Sequence, residues 1–412
     1  MHKHLRITFL LMISAFLFAG PVDIGEAKHL AKNFFPEKTP DSFRAISDQL
    51  FLSTFEGGGF LLISRDDAFP PVLGYSRTAP ADSMHPAFEA HCSDYSLQIS
   101  RYASASCEAH PDWDHYRNAR FRKPASQEIS PLISSRWNQS PYYNDLFPYL
   151  TLPGYTDRQA YAGCVAVVMG QLMRYYRHPV RGFGRRSYFS YSTDSTLSAW
   201  FDTTYYDWDN MPDSLSVLSA ADEVAEVSRL LYQSAISVEM DLQPDGSSST
   251  YEDMMYALIS YFDYATGMTL RNKDSSSDTE WKTMIRSELD DGNPVPYRGQ
   301  GDAGGHAYLL DGYRVTGDTY FHFNWGWGGQ YDGWFLLSAL APAEGYDFTE
   351  RQAAVLGIRK NTGDTVRLAY SGFEHWLEGW IYSAEKFFLR TAVMTWCTAG
   401  ISLTALTVPA SG

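Results

Sequence analysis

Residues 161–176 read YAGCVAVVMGQLMRYY and contain a single cysteine, Cys164, which follows two small residues. Apolar residues come after this cysteine at spacings of three and four, which is typical of a helix with one buried face. The residues on that face are Val165, Val168, Met169, Leu172 and Tyr176. The pattern predicts a core helix that begins at Cys164.

A thiol at the first turn of a helix can be unusually reactive. The unpaired N–H groups and the positive end of the helix dipole stabilise an anion, so we expect the pKa of Cys164 to be lowered. A thiolate on a rigid helix is a suitable nucleophile. The alternative is that Cys164 is a small core residue, as most free cysteines are.

Length and charge restrict the class of protein. The chain has 412 residues and a formal net charge of −15. This length predicts more than one folded unit. The negative charge argues against a nucleic-acid partner.

The first residues resemble an export signal. Basic and histidine residues precede the apolar run from Ile7 to Phe18, and small residues follow it. The run is too short for a membrane span, so we predict a secretory signal peptide at residues 1–27. The expected location is secreted or at the cell surface.

Export permits disulfides, and the chain has four cysteines: Cys92, Cys107, Cys164 and Cys397. Cys92 and Cys107 could pair, which would leave Cys164 free. The same region also holds a loose cluster of possible zinc ligands, whose spacing matches no strong template. This cluster comprises His91, Cys92, Cys107, His110 and His115.

The chain changes character along its length. Residues 28–80 predict a small α+β unit with one helix and three strands. Residues 77–124 lose this pattern and are interpreted as a linker, whose basic run at 117–123 would be easily cut by a protease. In the tail, residues 361–412, the apolar stretch Ala392 to Val408 is short and Thr-rich, so membrane association through it is a weak hypothesis.

The part of the chain between linker and tail divides into two halves. The first half contains helical patterns at Cys164, at 220–235, at 254–262 and at 281–289. The second half consists of short strand patterns bounded by Gly, Asp or Pro, at 295–297, 306–311, 320–325, 333–338 and 353–358. Helices followed by strands predict an α+β fold.

Two residues in the strand-rich half could serve Cys164. His306 follows Gly304-Gly305 at the start of a strand, where it could act as general base for the thiol. Asn324, on the next strand, could hold the imidazole, while the indole of Trp325 shields that bond from water. Each residue alone is more often structural, but together they predict a Cys–His–Asn site.

An oxyanion donor is also needed. Gln139 lies upstream of Cys164, and its amide could act with the Cys164 backbone N–H on a developing negative oxygen. Most glutamines are solvated surface residues, so the sequence makes Gln139 only a candidate.

The order Gln139, Cys164, His306, Asn324-Trp325 resembles that of papain-like cysteine proteases, and the local sequence resembles the streptopain family, peptidase family C10. The resembling phrases are Pro131-Leu132, Trp137-Asn138-Gln139, Pro141-Tyr142, Gly163-Cys164-Val165-Ala166, Gln171-Leu172-Met173, Tyr206-Asp207-Trp208, Gly305-His306-Ala307, Asp311-Gly312 and Asn324-Trp325-Gly326-Trp327-Gly328-Gly329. The resemblance implies a papain-like fold with a helical half and an antiparallel β half at residues 124–360. Residues 28–80 are similar to the family's pro-domain.

The resemblance implies a zymogen, in which a pro-domain and activation linker at 28–123 block the site until the linker is cut. Protein or peptide substrates would lie between the two halves, along Gly304 and Gly305, the loop at Ser247 and Ser248, and Trp325. No metal or organic cofactor is implied.

We therefore predict an exported cysteine endopeptidase with Cys164, His306, Asn324 and Gln139 as its catalytic residues. A catalytically inactive binding protein of the same fold is one alternative, and a thiol acyltransferase is another. A protease inhibitor is a further alternative, disfavoured because a full catalytic domain is present.

Overall fold

The computed structural model describes residues 19–81, 84–102, 108–117, 125–155, 157–243, 246–301, 304–338 and 352–362. The predicted signal sequence before residue 19 and the tail after residue 362 lie outside this part, as do Cys107, Cys397 and residues 118–123 of the basic run. No helix in the described part is long and apolar enough to cross a membrane.

Seven α-helices occur among the described residues: α1 (Ile24–Phe34), α2 (Pro86–Tyr102), α3 (Pro111–Arg117), α4 (Cys164–Tyr176), α5 (Ala221–Ser237), α6 (Tyr251–Tyr261) and α7 (Asp278–Asp290). Short 3-10 helices lie at Trp208–Asn210 and Lys273–Ser275. The helical patterns predicted from the sequence at α4, α5, α6 and α7 are confirmed, with small shifts at their ends.

Thirteen strands occur among the described residues: β1 (Pro40–Ala45), β2 (Leu50–Phe55), β3 (Phe60–Ser64), β4 (Val72–Ser76), β5 (Gln127–Ile129), β6 (Arg185–Ser190), β7 (Ser195–Trp200), β8 (Thr269–Asn272), β9 (Val295–Gly301), β10 (Gly304–Thr316), β11 (Asp318–Asn324), β12 (Gly333–Phe335) and β13 (Ala353–Leu356). Strands β1, β5 and β8 and the β6–β7 hairpin were not predicted from the sequence. These strands are short or largely exposed, so their apolar periodicity is weak.

One antiparallel sheet runs through most of the described chain in the order β1-β2-β3-β4-β12-β11-β10-β9-β13-β8, with β5 paired to β10. The strands of the N-terminal segment, which we define as described residues 19–117, join the strands of the second half where β4 pairs with β12. Tyr75 lies opposite Trp334 and Gly74 opposite Phe335 in this pairing. A Cβ at Gly74 would lie 2.3 Å from the Phe335 ring, so only glycine fits this contact.

The linker predicted at 77–124 is wrong where α2 and α3 lie. Helix α2 buries one face, formed by Phe88, Cys92, Tyr95 and Ile99, against the sheet. This period is weak in the sequence, because two of its four positions are Cys and Tyr and the apolar Leu97 lies on the exposed side. Cys92 is a free, buried cysteine, and no group of metal-binding residues is found among the described residues.

The buried apolar residues form two clusters. One joins the N-terminal segment, α7 and the sheet, and includes Trp325 and Phe335. The other surrounds α4, α5 and α6, and α4 is buried on all sides from Val165 to Met173 rather than on one face as predicted. Helix α4 therefore lies in the core of the helical half and packs against β10 of the sheet. This mixed helical and antiparallel architecture confirms the predicted α+β fold class.

Candidate active site

Cys164 is the first residue of α4, and its position depends on Gly163. Gly163 has φ +87°, a conformation that favours glycine, and a Cβ there would lie 2.8 Å from Met240 Sδ and 3.1 Å from the Ser247 carbonyl oxygen. The chain can therefore turn sharply into the helix only with glycine before the cysteine. This turn places the thiol at the helix N-terminus, as predicted.

The thiol of Cys164 contacts the opposing sheet. The backbone N–H groups of Ala307, Val165 and Cys164 itself lie near its sulfur and favour the thiolate. Ala307 directly follows His306 on β10. The structure thus brings the tip of α4 to the strand that carries the predicted general base.

The electrostatics of the thiol differ from the prediction. Burial raises the pKa of Cys164 above its ordinary value, and the three N–H groups lower it only in part. The expected net decrease is wrong for this form of the protein, because desolvation of the anion outweighs the helix N-terminus. In this form Cys164 is a neutral thiol at neutral pH.

His306 is held by a backbone carbonyl. Its Nε2 donates a hydrogen bond to the Trp325 carbonyl oxygen at 2.8 Å. Burial lowers the pKa of His306 to about 3, and this hydrogen bond opposes the decrease while nearby His85 adds to it. The imidazole is therefore neutral, with its second nitrogen, Nδ1, left to accept a proton.

Asn324 does not take the predicted role of orienting His306. Its Nδ2 donates to the Ser135 carbonyl oxygen at 2.8 Å, and its Oδ1 accepts from Gln171 Nε2 at 3.0 Å and from the Gly326 N–H at 3.2 Å. These bonds direct the amide toward α4 and the loop before it. The sequence shows that Asn324 directly precedes Trp325. It could not show that the Trp325 carbonyl, and not the Asn324 side chain, faces the imidazole.

Gln171 completes this network beneath the site. Its Oε1 accepts from Ser135 Oγ at 3.0 Å and from the Trp137 N–H at 3.2 Å. Together with its bond to Asn324, Gln171 ties α4, the loop at 135–139 and the end of β11 into one buried unit. The network fixes the helix of Cys164 relative to the strand before Trp325.

Gln139 lies beside the cysteine loop. Its carbonyl oxygen accepts from the Ala162 N–H at 3.2 Å, and its own N–H donates to Asn138 Oδ1 at 2.7 Å. Its side-chain Oε1 is buried without a hydrogen-bond partner among the described residues. No neighbour fixes this end of the amide, so rotation of the amide can present its N–H groups to a ligand.

The predicted substrate-binding residues have different surroundings. Gly304 and Gly305 begin β10, where they pair with Gly301 and Gln300 of β9. Ser247 is 3% exposed and its hydroxyl donates to the Tyr161 carbonyl oxygen at 2.8 Å, so it supports the cysteine loop. Ser248 is exposed, and its backbone pairs with Asp241.

Trp325 lies in the core rather than on the surface. Its ring is 2% exposed, and its Nε1 donates to the Tyr331 carbonyl oxygen at 3.0 Å. It stacks on Trp327, with centroids 4.9 Å apart, and Trp327 in turn packs on His306 at 4.7 Å. In this form of the protein the Trp325 ring does not contact a substrate groove, and its carbonyl is the group that acts on His306.

The N-terminal segment covers this aromatic stack, which the sequence did not reveal. His85 stacks on Trp327 with centroids 3.7 Å apart, and its ring lies 6.4 Å from that of His306. Phe88 stacks on Tyr331 at 4.0 Å, and His91 contacts Trp325 at 5.4 Å. Residues 85–91 therefore lie over the site.

The fold and the site define a papain-like cysteine-peptidase arrangement, in which a helix with a cysteine at its N-terminus packs against the antiparallel strand that carries a histidine. Residues 137–335 match the model of the peptidase C10 family. Over these residues the chain is similar to this family of cysteine-type peptidases.

Several proteins are similar to this chain in sequence or in structure. A thiol protease/hemagglutinin, PrtT, from Porphyromonas gingivalis is 32% identical over 85% of this chain, and the chain spans 43% of that relative's length. Streptopain from Streptococcus pyogenes is 29% identical over 75% of this chain and 80% of its own length. A solved structure of a Cys-to-Ala mutant fragment of Prevotella intermedia prointerpain A is 26% identical, with a TM-score of 0.63 and coverage of 77% of this chain and 98% of that one.

Proposed function

We propose that the chain is the zymogen of an exported cysteine endopeptidase, with Cys164 as nucleophile and His306 as general base. The observation that carries this proposal is the packing of α4 on β10, in which the Cys164 thiol lies near the N–H of Ala307, the residue after His306. The relatives named thiol protease and streptopain support the same reaction.

In the proposed reaction Nδ1 of His306 takes the thiol proton, which forms a thiolate and an imidazolium. The thiolate sulfur attacks the peptide carbonyl carbon, and the imidazolium proton passes to the leaving amine. Water, activated by the neutral imidazole, then hydrolyses the thioester and releases the free thiol. The Trp325 carbonyl keeps Nε2 protonated, so that Nδ1 is the nitrogen that exchanges the proton.

Gln139 and the Cys164 N–H would bind the oxygen that becomes negative during the attack. The loop bond from the Ala162 N–H to the Gln139 carbonyl keeps this side chain beside the cysteine loop. Loss of one such donor slows catalysis by about a hundredfold or more. Gly304, Gly305, Ser247 and Ser248 remain the proposed borders of the peptide groove.

The N-terminal segment would act as the intramolecular inhibitor. His85 of this segment stacks on Trp327, which packs on His306. In this form burial disfavours both the thiolate of Cys164 and the imidazolium of His306. Removal of the segment would return water to the pair and favour its ionised form. The proposed cut lies in the basic run at 117–123, between the segment and the catalytic part at 124–360.

Expression of the full chain tests this proposal. The wild type should shorten itself by about ten kilodaltons, the size of the N-terminal unit, and should then hydrolyse an unstructured protein such as casein. Cys164→Ala should remain full length and inactive. Cys92→Ala is the matched control, since it removes the buried thiol of the N-terminal segment and should process like the wild type. Equal processing by wild type and Cys164→Ala would refute the proposal.

A further inference from the structure

Asp332 is connected through Trp325 to the hydrogen bond that holds His306. The Trp325 peptide group is engaged at both ends: its carbonyl oxygen accepts from His306 Nε2 at 2.8 Å, and its N–H donates to Asp332 Oδ1 at 2.9 Å. The carboxylate lies on the loop between β11 and β12, seven residues after Trp325. A short chain of hydrogen bonds around one residue thus links Asp332 to the imidazole.

Asp332 is a buried carboxyl group in a charged surrounding. The groups that act on it are His322 of β11, Asp311 of β10 and Arg136 of the loop before α4. Burial raises the pKa of Asp332 to about 7 and Asp311 adds to the increase, while His322, the Trp325 N–H and Arg136 oppose it. The group therefore changes its charge in the neutral range.

His322 connects this carboxyl to the rest of the sheet. Its Nδ1 lies 2.6 Å from Asp311 Oδ1, and Asp311 Oδ2 accepts from the Ile133 N–H at 3.1 Å. Burial and Arg314 lower the pKa of His322, but Asp311 and Asp332 together raise it, so the net change is an increase. A charged His322 near Asp332 favours the carboxylate form.

A hydrogen bond to the N–H end of a peptide group strengthens its carbonyl as an acceptor, because hydrogen bonds in a chain polarise one another. It also fixes the plane of the peptide and hence the direction of the carbonyl. Both effects act on the imidazole at its Nε2–H. A carboxylate on the Trp325 N–H should therefore hold His306 in place and make it more basic.

We propose that Asp332 is a positioning residue of the active site: its carboxylate, through the Trp325 peptide group, orients His306 and raises its basicity, the task assigned to Asn324 by sequence. The proposal rests on the proposed endopeptidase function. Asp332 does not touch the reacting atoms and acts only through Trp325.

The test compares Asp332→Asn, which keeps an oxygen acceptor but no charge, with Asp332→Ala, which removes both. Glu288→Gln is the matched control, because Glu288 Oε1 also accepts from a backbone N–H, that of Gly357 at 3.0 Å, away from the site. Each full chain is activated by immobilised wild-type enzyme, which is then removed. Cys164→Ala, carried through the same steps, gives the background.

The readouts are kcat, KM and the pH profile of kcat/KM, with unfolding as a check on the fold. We expect Asp332→Ala to lower kcat by about tenfold to a hundredfold with KM changed less than twofold, in the range of a misplaced general base. Asp332→Asn should lower kcat less and should move the alkaline limb, which reports loss of the imidazolium proton, to lower pH. Glu288→Gln should match the wild type in both.

An unchanged alkaline limb in Asp332→Asn would overturn the proposal, even if stability fell, since a merely structural role leaves the basicity of His306 as it was. Wild-type kcat in both Asp332 variants would overturn it as well. If the wild type were inactive, or as active as Cys164→Ala, the proposed function itself would fail. The two failures are thereby distinguished.

Discussion

Nε2 of His306 lies 2.8 Å from the carbonyl oxygen of Trp325, and the side chain of Asn324 is turned away into a separate network. A carbonyl oxygen can only accept, so this contact fixes the proton on Nε2 and leaves Nδ1 free of one. A backbone group thus sets the tautomer that a side-chain amide was predicted to set.

Asn324→Ala should therefore weaken the fold more than the chemistry. The change leaves the Ser135 carbonyl, Gln171 Nε2 and the Gly326 N–H without their buried partner, which should lower the free energy of unfolding by about 2–3 kcal/mol. Denaturant unfolding measures this loss. In the fraction that remains folded, kcat should fall much less than in His306→Ala, for which we expect a loss of at least about a hundredfold. Equal loss of kcat in the two variants would contradict the assignment.

Gly163→Ala should displace the nucleophile. The new Cβ would approach Met240 Sδ to 2.8 Å in a backbone conformation that side chains rarely adopt. We expect a loss of about 1–3 kcal/mol in unfolding free energy and at least a tenfold lower kcat, since the helix tip must move. Gly246→Ala is the control, because a Cβ there meets nothing within 4 Å. Thermal unfolding and active-site titration would show whether the two variants differ.

The full chain should lose stability in acid because of buried neutral histidines. Burial lowers the pKa of His91 to about 3, against about 6.5 for an unfolded histidine. Below pH 6.5 the unfolded chain binds a proton that folded His91 does not, so stability falls as pH falls, by about 1.4 kcal/mol per pH unit until near pH 3. His85 and His306, with pKa values of about 4 and 3, act in the same direction.

Urea unfolding of the full-length Cys164→Ala chain between pH 7.5 and 5 measures this effect without self-cleavage. His91→Phe keeps a ring of similar size and should reduce the dependence on pH. His29→Phe, at an exposed position on α1, should leave it unchanged. The same pH dependence in all three chains would show that His91 does not contribute.

The thiol of Cys164 should be protected until the N-terminal segment is removed. Because burial raises its pKa in this form, iodoacetamide should label the full-length chain more slowly at pH 7 than a free cysteine. His306→Ala, which should not process, gives the full-length form for this measurement, and trimming by immobilised wild-type enzyme gives the shortened form. We expect labelling to quicken on trimming by about tenfold or more, since about one pKa unit of relief is a tenfold change in thiolate.

Cys164→Ala serves as the control and measures the label taken up by Cys107 and Cys397. Cys92 should contribute little, since it is buried and its pKa is raised by burial and by Glu89 and Asp94. Equally rapid labelling before and after trimming would argue against latency by burial.

The periodic segments were predictable from the sequence, because a buried face repeats every three or four residues in a helix and every second residue in a strand. Helices α5, α6 and α7 follow this rule. Helix α4 is buried on all sides as far as Met173, and the strands that carry His306 and Asn324 do not alternate; these strands were predicted from the Gly and Asp residues near their ends. Helix α2 does not show the helical period clearly, since its buried face includes Cys92 and Tyr95 while the apolar Leu97 is exposed, and the segment was interpreted as a linker. Its buried residues are defined by their contacts with the sheet and with the loop at 325–331, which are distant from α2 in the sequence.

The sequence by itself determined which side chains could do chemistry: a cysteine at a helix start, a histidine at a strand start, and a glutamine upstream, in one order along the chain. Only the tertiary structure decided their partners and their charge states. The carbonyl of Trp325 is a group that every residue possesses, so no pattern of side chains can mark it as the acceptor for His306. The desolvation that keeps Cys164 and His306 neutral likewise arises from segments distant in the chain. The order of residues does not show which of these segments become close in the folded protein.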